Sequence, residues 1–377
     1  MKRLAIITMQ LKTPGGIERF VSTLASMFAD DFEVEIIANY GKPTDSLAFP
    51  LPKNVKLTFL TPVQPAEVSM KCLITHPTKW AQIPAELRRR HKITATQHRV
   101  FHKFFHNYST DFIITDRALC SRLVATYYHG PALKIATDHN FHQHDPKYIN
   151  ELLSSIRSFD YLIVATDELR DFYRSRTKVK CLTIPNPLPS IPTEKSPLTT
   201  KNLISVGRLV PEKDFDLLID AMKIVRTKDP DIHLTIVGDG SEKPTLKSKI
   251  KSLGLTNTIT LTGWLPQSAI AKLYLKSSLF VMTSKTEAFG LVLTEAMSYG
   301  LPCLALSRAS GARALITKNT GMLLDTATKE ALATEILHLL SHPALLQDYQ
   351  SHLPHHIKQY TPTTIKSSWL SVMQPKN

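Results

Sequence analysis

Two clusters of charged and glycine residues in the second half of the chain have the types and spacing to handle a phosphorylated ligand. In the first, Gly207 closes the apolar run Asn202–Val206, and Arg208 and Lys213 follow in the loop before a helical pattern that starts at Phe215. Cations at the carboxyl end of a strand suit a diphosphate, whose leaving charge they neutralise. In the second, Glu287 sits in the loop after the run Leu279–Met282, and Gly290 lets the backbone come close to a ligand. Free amides where the next helix begins can receive phosphate oxygens, and Glu295, on that helix, is placed to accept hydrogen bonds from ribose hydroxyls. Spacing alone leaves a plainer alternative open for both: a solvated loop, and carboxylates that are ordinary helix-start charges.

These loops need strands and helices to hold them. In the N-terminal half the runs Leu4–Thr8, Glu33–Ala38, Lys56–Leu60, Phe112–Thr115, Lys134–Thr137, Tyr161–Ala165 and Lys180–Ile184 are short and apolar, and helical spacing begins at Ile17 with Phe20, Val21, Leu24 and Phe28. The segment 184–197 carries five prolines in fourteen residues, so it continues neither a helix nor a central strand and is expected to be a semi-rigid linker. Beyond it the alternation restarts, with strands at Asn202–Val206, Ile232–Val237, Ile259–Leu261, Leu279–Met282 and Pro302–Leu306 and helices between them. Strand–helix alternation predicts parallel sheets covered on both faces, and two Rossmann-like domains would bring their ligand-binding strand ends together across a cleft. The expected division is 1–188, 189–355, and a segment 356–377 returning to the first domain.

Composition sets the bounds. The 377 residues suit two domains, and 43% hydrophobic with 21% charged residues indicates a folded chain. A formal net charge of +14 favours anionic partners: nucleic acid, anionic lipid or phosphorylated substrates. The four cysteines, Cys72, Cys120, Cys181 and Cys303, form no Cys-x-x-Cys pair and are expected to be buried free thiols in a reducing cytosol. The apolar run at the N-terminus is too short for a signal peptide, and no stretch approaches the ~18 apolar residues of a membrane span.

Six marks in order resemble the retaining glycosyltransferases of family 4, which have the GT-B fold. They are Gly15-Gly16-Ile-Glu-Arg, Gly207-Arg208…Glu212-Lys213, Val237-Gly-Asp-Gly240, Thr262-Gly-Trp264, the Glu287-x7-Glu295 pair, and Glu295-Ala-Met-Ser-Tyr-Gly-Leu-Pro302. The resemblance implies that Arg208 and Lys213 hold the donor diphosphate and that Glu287 faces the transferred sugar. Phe289, Gly290 and Leu291 would offer backbone amides, Glu295 would bind the ribose, and Gly238 would belong to the donor set. Gly15 and Gly16 would make room for the donor phosphate and acceptor. Thr137-Asp-His-Asn140 matches the family's cleft histidine at His139, whose ring would contact the sugar or its departing oxygen. Attack from the front face, with the leaving phosphate taking the acceptor proton, is what the family implies, with retained configuration. One departure stands out: many relatives carry glutamate in a Ser-Gly-x-x-Glu pattern, where Ser310-Gly-Ala-Arg-Ala314 has Ala314.

Asp214-Phe-Asp216 resembles the metal-binding Asp-x-Asp of the other large glycosyltransferase fold, but its place at a helix start favours capping. No obligatory metal and no cofactor are expected. In the segment Ala95–Tyr108, which follows the basic run Glu86–Lys92, Phe101, Phe104, Phe105 and Tyr108 share a helical face. This predicts a surface helix burying its aromatics or, alternatively, an interfacial helix that meets anionic lipid. A His-x-x-x-His metal site there lacks a third ligand. The C-terminal Tyr360–Val372 is expected to be a last helix anchored by Trp369.

The resulting expectation is a cytoplasmic transferase, peripheral at the inner face of the plasma membrane. It would move sugar from a nucleotide-sugar donor to a cell-envelope glycan or glycolipid acceptor. A sugar-nucleotide epimerase on the same fold and a basic nucleic-acid binder are the alternatives, and the second leaves the donor-site motifs unexplained.

Overall fold

A computed structural model of the chain describes residues 1–61, 77–139 and 145–374, and in it every strand run expected above forms a strand. The first sheet contains β1 (Lys2–Thr8), β2 (Phe32–Tyr40), β3 (Lys56–Thr61), β4 (Phe112–Thr115), β5 (Leu133–Asp138), β6 (Tyr161–Val164) and β7 (Lys180–Thr183). They are all parallel, in the order β3-β2-β1-β4-β5-β6-β7. Leu4, Ala5, Ile6 and Ile7 are consecutive and all fully buried, so both faces of the central strand are covered, as a parallel sheet requires.

The helices of this part are α1 (Gly16–Phe28), α2 (Ile83–His106), α3 (Ala118–Tyr127), α4 (Pro146–Ser155) and α5 (Asp167–Arg174). Phe20, Val21, Leu24 and Phe28 form the buried stripe of α1. In α2, Phe101 and Phe105 are buried against Tyr127 and Tyr128, and Tyr108 beyond its end donates to Glu35 Oε2 at 2.8 Å. The aromatic face is therefore used inside the fold, with Phe104 and Tyr108 half-buried. Arg88, Arg89, His91, Lys92, Arg99 and Lys103 stay exposed, with Trp80 and Leu87 exposed at the amino-terminal end.

The second sheet contains β8 (Asn202–Val206), β9 (His233–Val237), β10 (Ile259–Gly263), β11 (Leu279–Met282), β12 (Cys303–Leu306) and β13 (Gly321–Leu324), again parallel, in the order β10-β9-β8-β11-β12-β13. Its helices are α6 (Phe215–Lys228), α7 (Lys243–Ser252), α8 (Gln267–Leu275), α9 (Leu291–Ser298), α10 (Ser310–Leu315), α11 (Lys329–Ser341), α12 (Pro343–Ile357) and α13 (Pro362–Val372).

The chain divides into two units, one of Met1–Val164, Arg170–Thr183 and the segment from Trp369 on, the other of Ala165–Leu169 and Ile184–Ser368. The second unit thus begins at Ile184, earlier than residue 189, because Leu188 is buried in its core and Leu188 N donates to Tyr360 O at 2.9 Å. The proline-rich segment is not a free spacer: Ser196 N donates to Tyr299 O, and Leu188 and Ser196 are buried. Ile357 and Tyr360 also belong to that core, so the C-terminal segment joins the first unit only from Trp369, which is 1% exposed near Phe20. Cys120, Cys181 and Cys303 are free and buried; Cys72 lies outside the described residues. Among the described residues no helix is long and apolar enough to cross a membrane.

Candidate functional site

In the second sheet β8 lies between β9 and β11, so the loops after β8 and β11 leave neighbouring strand ends at a topological switch point. That placement unites the two sequence clusters. Lys213 donates to Glu287 Oε2, and each side chain is only 19% exposed. Two further bonds lock the loops together: Thr283 Oγ1 donates to Lys213 O at 3.1 Å, and Lys285 N to Glu212 O at 2.8 Å. Arg208 is exposed beside Gly207 and makes no ion pair among the described residues.

Gly238 packs beneath this loop. Its φ is +145°, and a Cβ there would stand 1.8 Å from Gly207 O. Gly207 N donates to Val237 O at 3.0 Å and Gly238 N to Gly263 O at 2.9 Å. The Val237-Gly-Asp-Gly240 run is therefore required by backbone lying on backbone.

Gly290 opens α9 with φ +90° and ψ 58°, a conformation suited to glycine. Phe289 beside it is buried, its ring 5.8 Å from Tyr360, and Leu291 is half-buried. Glu295 is 5% exposed. The Ser310-Gly segment grips this loop from below: Ser310 Oγ and Gly311 N both donate to Glu287 O, at 2.9 and 2.8 Å. Ala314 is exposed, and its neighbour Arg313 makes a two-pronged ion pair with Glu168 at 2.8 and 2.6 Å.

The Asp-x-Asp carboxylates both pair with basic side chains, and Asp216 lies in the first turn of α6. Asp214 occupies the N-cap position of α6, but its carboxylate makes no capping bond and goes instead to Arg308 at 2.6 Å and Lys285 at 3.5 Å. Asp216 pairs with Lys249 at 2.6 Å. His102 and His106 stack at 5.9 Å, and no group of three metal-ligating side chains is found among the described residues.

The switch point of the first sheet lies between β1 and β4. Gly15 and Gly16 begin α1, with Arg19 N donating to Gly15 O at 3.0 Å. Thr8 Oγ1 donates to Asp116 Oδ2 at 2.6 Å, tying the two strand ends. Arg117 then joins Asp116 at 3.1 Å and Glu18 at 3.6 Å. Burial pushes the Glu18 carboxyl up. Two buried carboxylates around one guanidinium beside Gly15 and Gly16 suit hydroxyl groups better than phosphate.

His139 follows β5, with its ring 4.1 Å from Phe20. Thr137 Oγ1 donates to Thr115 O at 2.9 Å, so at 2.8 Å it accepts from His139 Nε2, which fixes the proton there. The residue as a whole is half-buried, but Nδ1 is sealed from solvent and has no hydrogen-bond partner among the described residues. Burial pushes the imidazole down to about 4, while Asp116 and Arg117 pull in opposite directions. His139 is therefore an uncharged ring at neutral pH. Asn140 lies outside the described residues.

Asp116, Arg117 and Arg308 were not singled out from sequence. A charged pair directly after an apolar run was the available signal at Asp116-Arg117, but the adjacency of β4 to β1 is not written in the order of the chain.

This two-unit α/β architecture is the GT-B fold. It superposes on a mutant of S. aureus TarM in complex with fondaparinux, α-GlcNAc-glycerol and UDP, with TM-score 0.81, 16% identity and 100% of both chains covered. Residues 190–361, within the second unit, match the family model described as Glycosyl transferases group 1. An exopolysaccharide phosphotransferase of Streptomyces coelicolor is 26% identical over 89% of this chain and 36% of its own length. An amylovoran biosynthesis glycosyltransferase of Erwinia amylovora is 30% identical over 45% of this chain and 47% of its own length. The chain spans between about a third and about a half of the length of the curated relatives it matches.

Two outcomes follow. Gly238→Ala places a methyl on the Gly207 carbonyl and should lower the stability of the second unit by more than ~2 kcal/mol in urea unfolding; Gly254→Ala, at φ +67° with open space, should lose only ~1–2 kcal/mol. His139 titrates near 6.5 when unfolded but only about 4 when folded, so the unfolded chain binds more protons between those values. The stability that this group contributes is complete above pH 6.5 and is lost as pH falls towards 4. From pH 7 to pH 5 the wild type should lose about 2 kcal/mol more than His139→Gln, measured by urea unfolding at each pH.

Proposed function

We propose that the chain transfers a sugar from a nucleoside-diphosphate sugar to a glycan of the cell envelope, with the anomeric configuration retained. The observation that carries this is the meeting of Lys213 and Glu287 at the β8/β11 switch point, with exposed Arg208 beside them. A bound diphosphate would draw Lys213 from Glu287 and take Arg208 as its second cation. Glu287 is then released to accept hydrogen bonds from the transferred sugar, and Glu295 binds the ribose. In the transfer, the bond from C1 to the diphosphate oxygen breaks, the acceptor oxygen bonds C1, and its proton passes to the leaving phosphate. Charge stabilisation and positioning supply the rate, without a metal or cofactor. His139 contributes an uncharged ring and not a proton.

The acceptor class is supported by the likeness to an exopolysaccharide phosphotransferase and an amylovoran biosynthesis glycosyltransferase. The paired carboxylates around Arg117 in the first unit fit the hydroxyls of a neutral sugar as acceptor. Exposed Arg88, Arg89, His91 and Lys92, with Trp80 and Leu87, support peripheral binding to an anionic membrane on the cytoplasmic side.

Saturation-transfer NMR against a panel of nucleotide sugars tests the donor site. One nucleotide sugar should bind selectively, and binding should fall sharply in Arg208→Ala and Glu295→Gln. Turnover should drop by about 10²–10³-fold in Arg208→Ala, with sugar appearing on an acceptor and not as a free isomer. A folded protein that binds none of the panel ends this assignment. For the membrane, cosedimentation with vesicles containing anionic lipid should exceed that with neutral vesicles. It should weaken in the triple variant Arg88→Glu, Arg89→Glu, Lys92→Glu; equal sedimentation of both vesicle types removes the membrane surface from the proposal.

A further inference from the structure

Asp214 is one of two non-glycine residues with positive φ among the described residues, at φ 51° and ψ 42°. A side chain in the left-handed region carries a local conformational cost and persists only where its surroundings hold it. It immediately follows Lys213, so the backbone path through residue 214 sets where the Lys213 ammonium can reach.

What holds Asp214 is a side chain from a third loop. Arg308, after β12, donates from Nη2 to Asp214 Oδ2 at 2.6 Å and to Thr283 O at 2.7 Å, and from Nε to Ser284 O at 3.4 Å. One planar guanidinium therefore bridges the loop after β8 and the loop after β11, the same two loops that carry Lys213 and Glu287. Lys285 adds a second, more exposed cation on the other Asp214 oxygen, at 3.5 Å. Arg308 is 30% exposed and Asp214 14%, so the pair is partly withdrawn from water, where charge-assisted bonds are strongest.

We propose that Arg308 is a positioning residue for the transfer reaction: by clamping Asp214 in its left-handed conformation and bridging to Thr283 and Ser284, it presents Lys213 to the donor diphosphate. This rests on the donor-site assignment of the preceding section. Arg308 acts through Lys213, because its Nε–H and both Nη2 donors are turned to Asp214 and the β11 loop. Lysine, a point charge without the planar fork, cannot make the same bridge.

The test uses the full-length chain, nucleoside diphosphates of uridine, guanosine and adenosine as probes, and two readouts. In Arg308→Ala, amide hydrogen exchange across residues 211–216 should accelerate by about tenfold or more, while exchange in β8 and β11 stays as in the wild type. Affinity for the nucleoside diphosphate that the wild type binds should fall by about 10- to 100-fold. Arg308→Lys should recover only part of either loss. Adding Asp214→Gly to Arg308→Ala should restore much of the affinity, since glycine adopts the left-handed conformation without a clamp. A merely structural role predicts a uniform loss of protection and no rescue by glycine. Unchanged exchange and unchanged affinity in a folded Arg308→Ala protein overturn the proposal, as does a double variant no better than the single one. If the wild type binds none of the three nucleotides, the donor-site assignment fails, and the exchange arm still decides whether Arg308 holds the Lys213 loop.

Discussion

A parallel sheet buried on both faces delivers all its strands to the same edge, and the chemistry of this protein depends on that constraint. Every loop that leaves a carboxyl end emerges on one side, and where the strand order reverses, two such loops leave neighbouring strands with no helix covering the gap between them. In the second unit the reversal falls between β8 and β11, which is why a lysine and a glutamate 74 positions apart form an ion pair. In the first unit it falls between β1 and β4, and Thr8 meets Asp116 by the same logic. Unrelated side chains thus form the two sites, and one topological rule places both.

The two sites differ in charge. In the second unit the loop after β8 offers Arg208, which has no ion pair among the described residues, and Lys213 paired with one carboxylate, an arrangement that suits anionic oxygen. In the first unit Arg117 is held between Asp116 and Glu18, and His139 is kept neutral by burial. That surface favours groups that donate hydrogen bonds and carry no charge. The proposed anionic donor and hydroxyl-bearing acceptor would make these two different demands. Close backbone contact underlies the first of them: without Cβ atoms at Gly238 and Gly240 the 207–209 loop can lie directly on the turn after β9.

The strands were legible from sequence because each is a short, largely apolar run, and the inner ones are buried on both faces; Phe112–Thr115, Asn202–Val206 and Leu279–Met282 form with the bounds their apolar patterns suggest. The α2 aromatics were legible as one face, but whether that face meets lipid or protein depends on Tyr127 and Tyr128, which reach it from α3 and the residue after it. The proline-rich segment correctly excluded helix and strand, yet its hydrogen bonds to Tyr299 and Tyr360 come from residues more than a hundred and more than a hundred and seventy positions away, so its attachment to the second unit left no local trace. Asp214 misled for a similar reason: its position before a helix indicates a cap, and only Arg308, 94 positions later, diverts the carboxylate.

By itself the sequence determined the two alternating strand–helix halves, the break between them, and the residue types of the proposed donor cluster, because hydrophobic periodicity and glycine placement are local properties of the chain. Only the tertiary structure decided which strand ends lie side by side, and with them the partnership of Lys213 with Glu287, the clamp of Arg308 on Asp214, and the neutral state of His139. Strand order and burial arise from contacts between distant segments, and no local pattern encodes them.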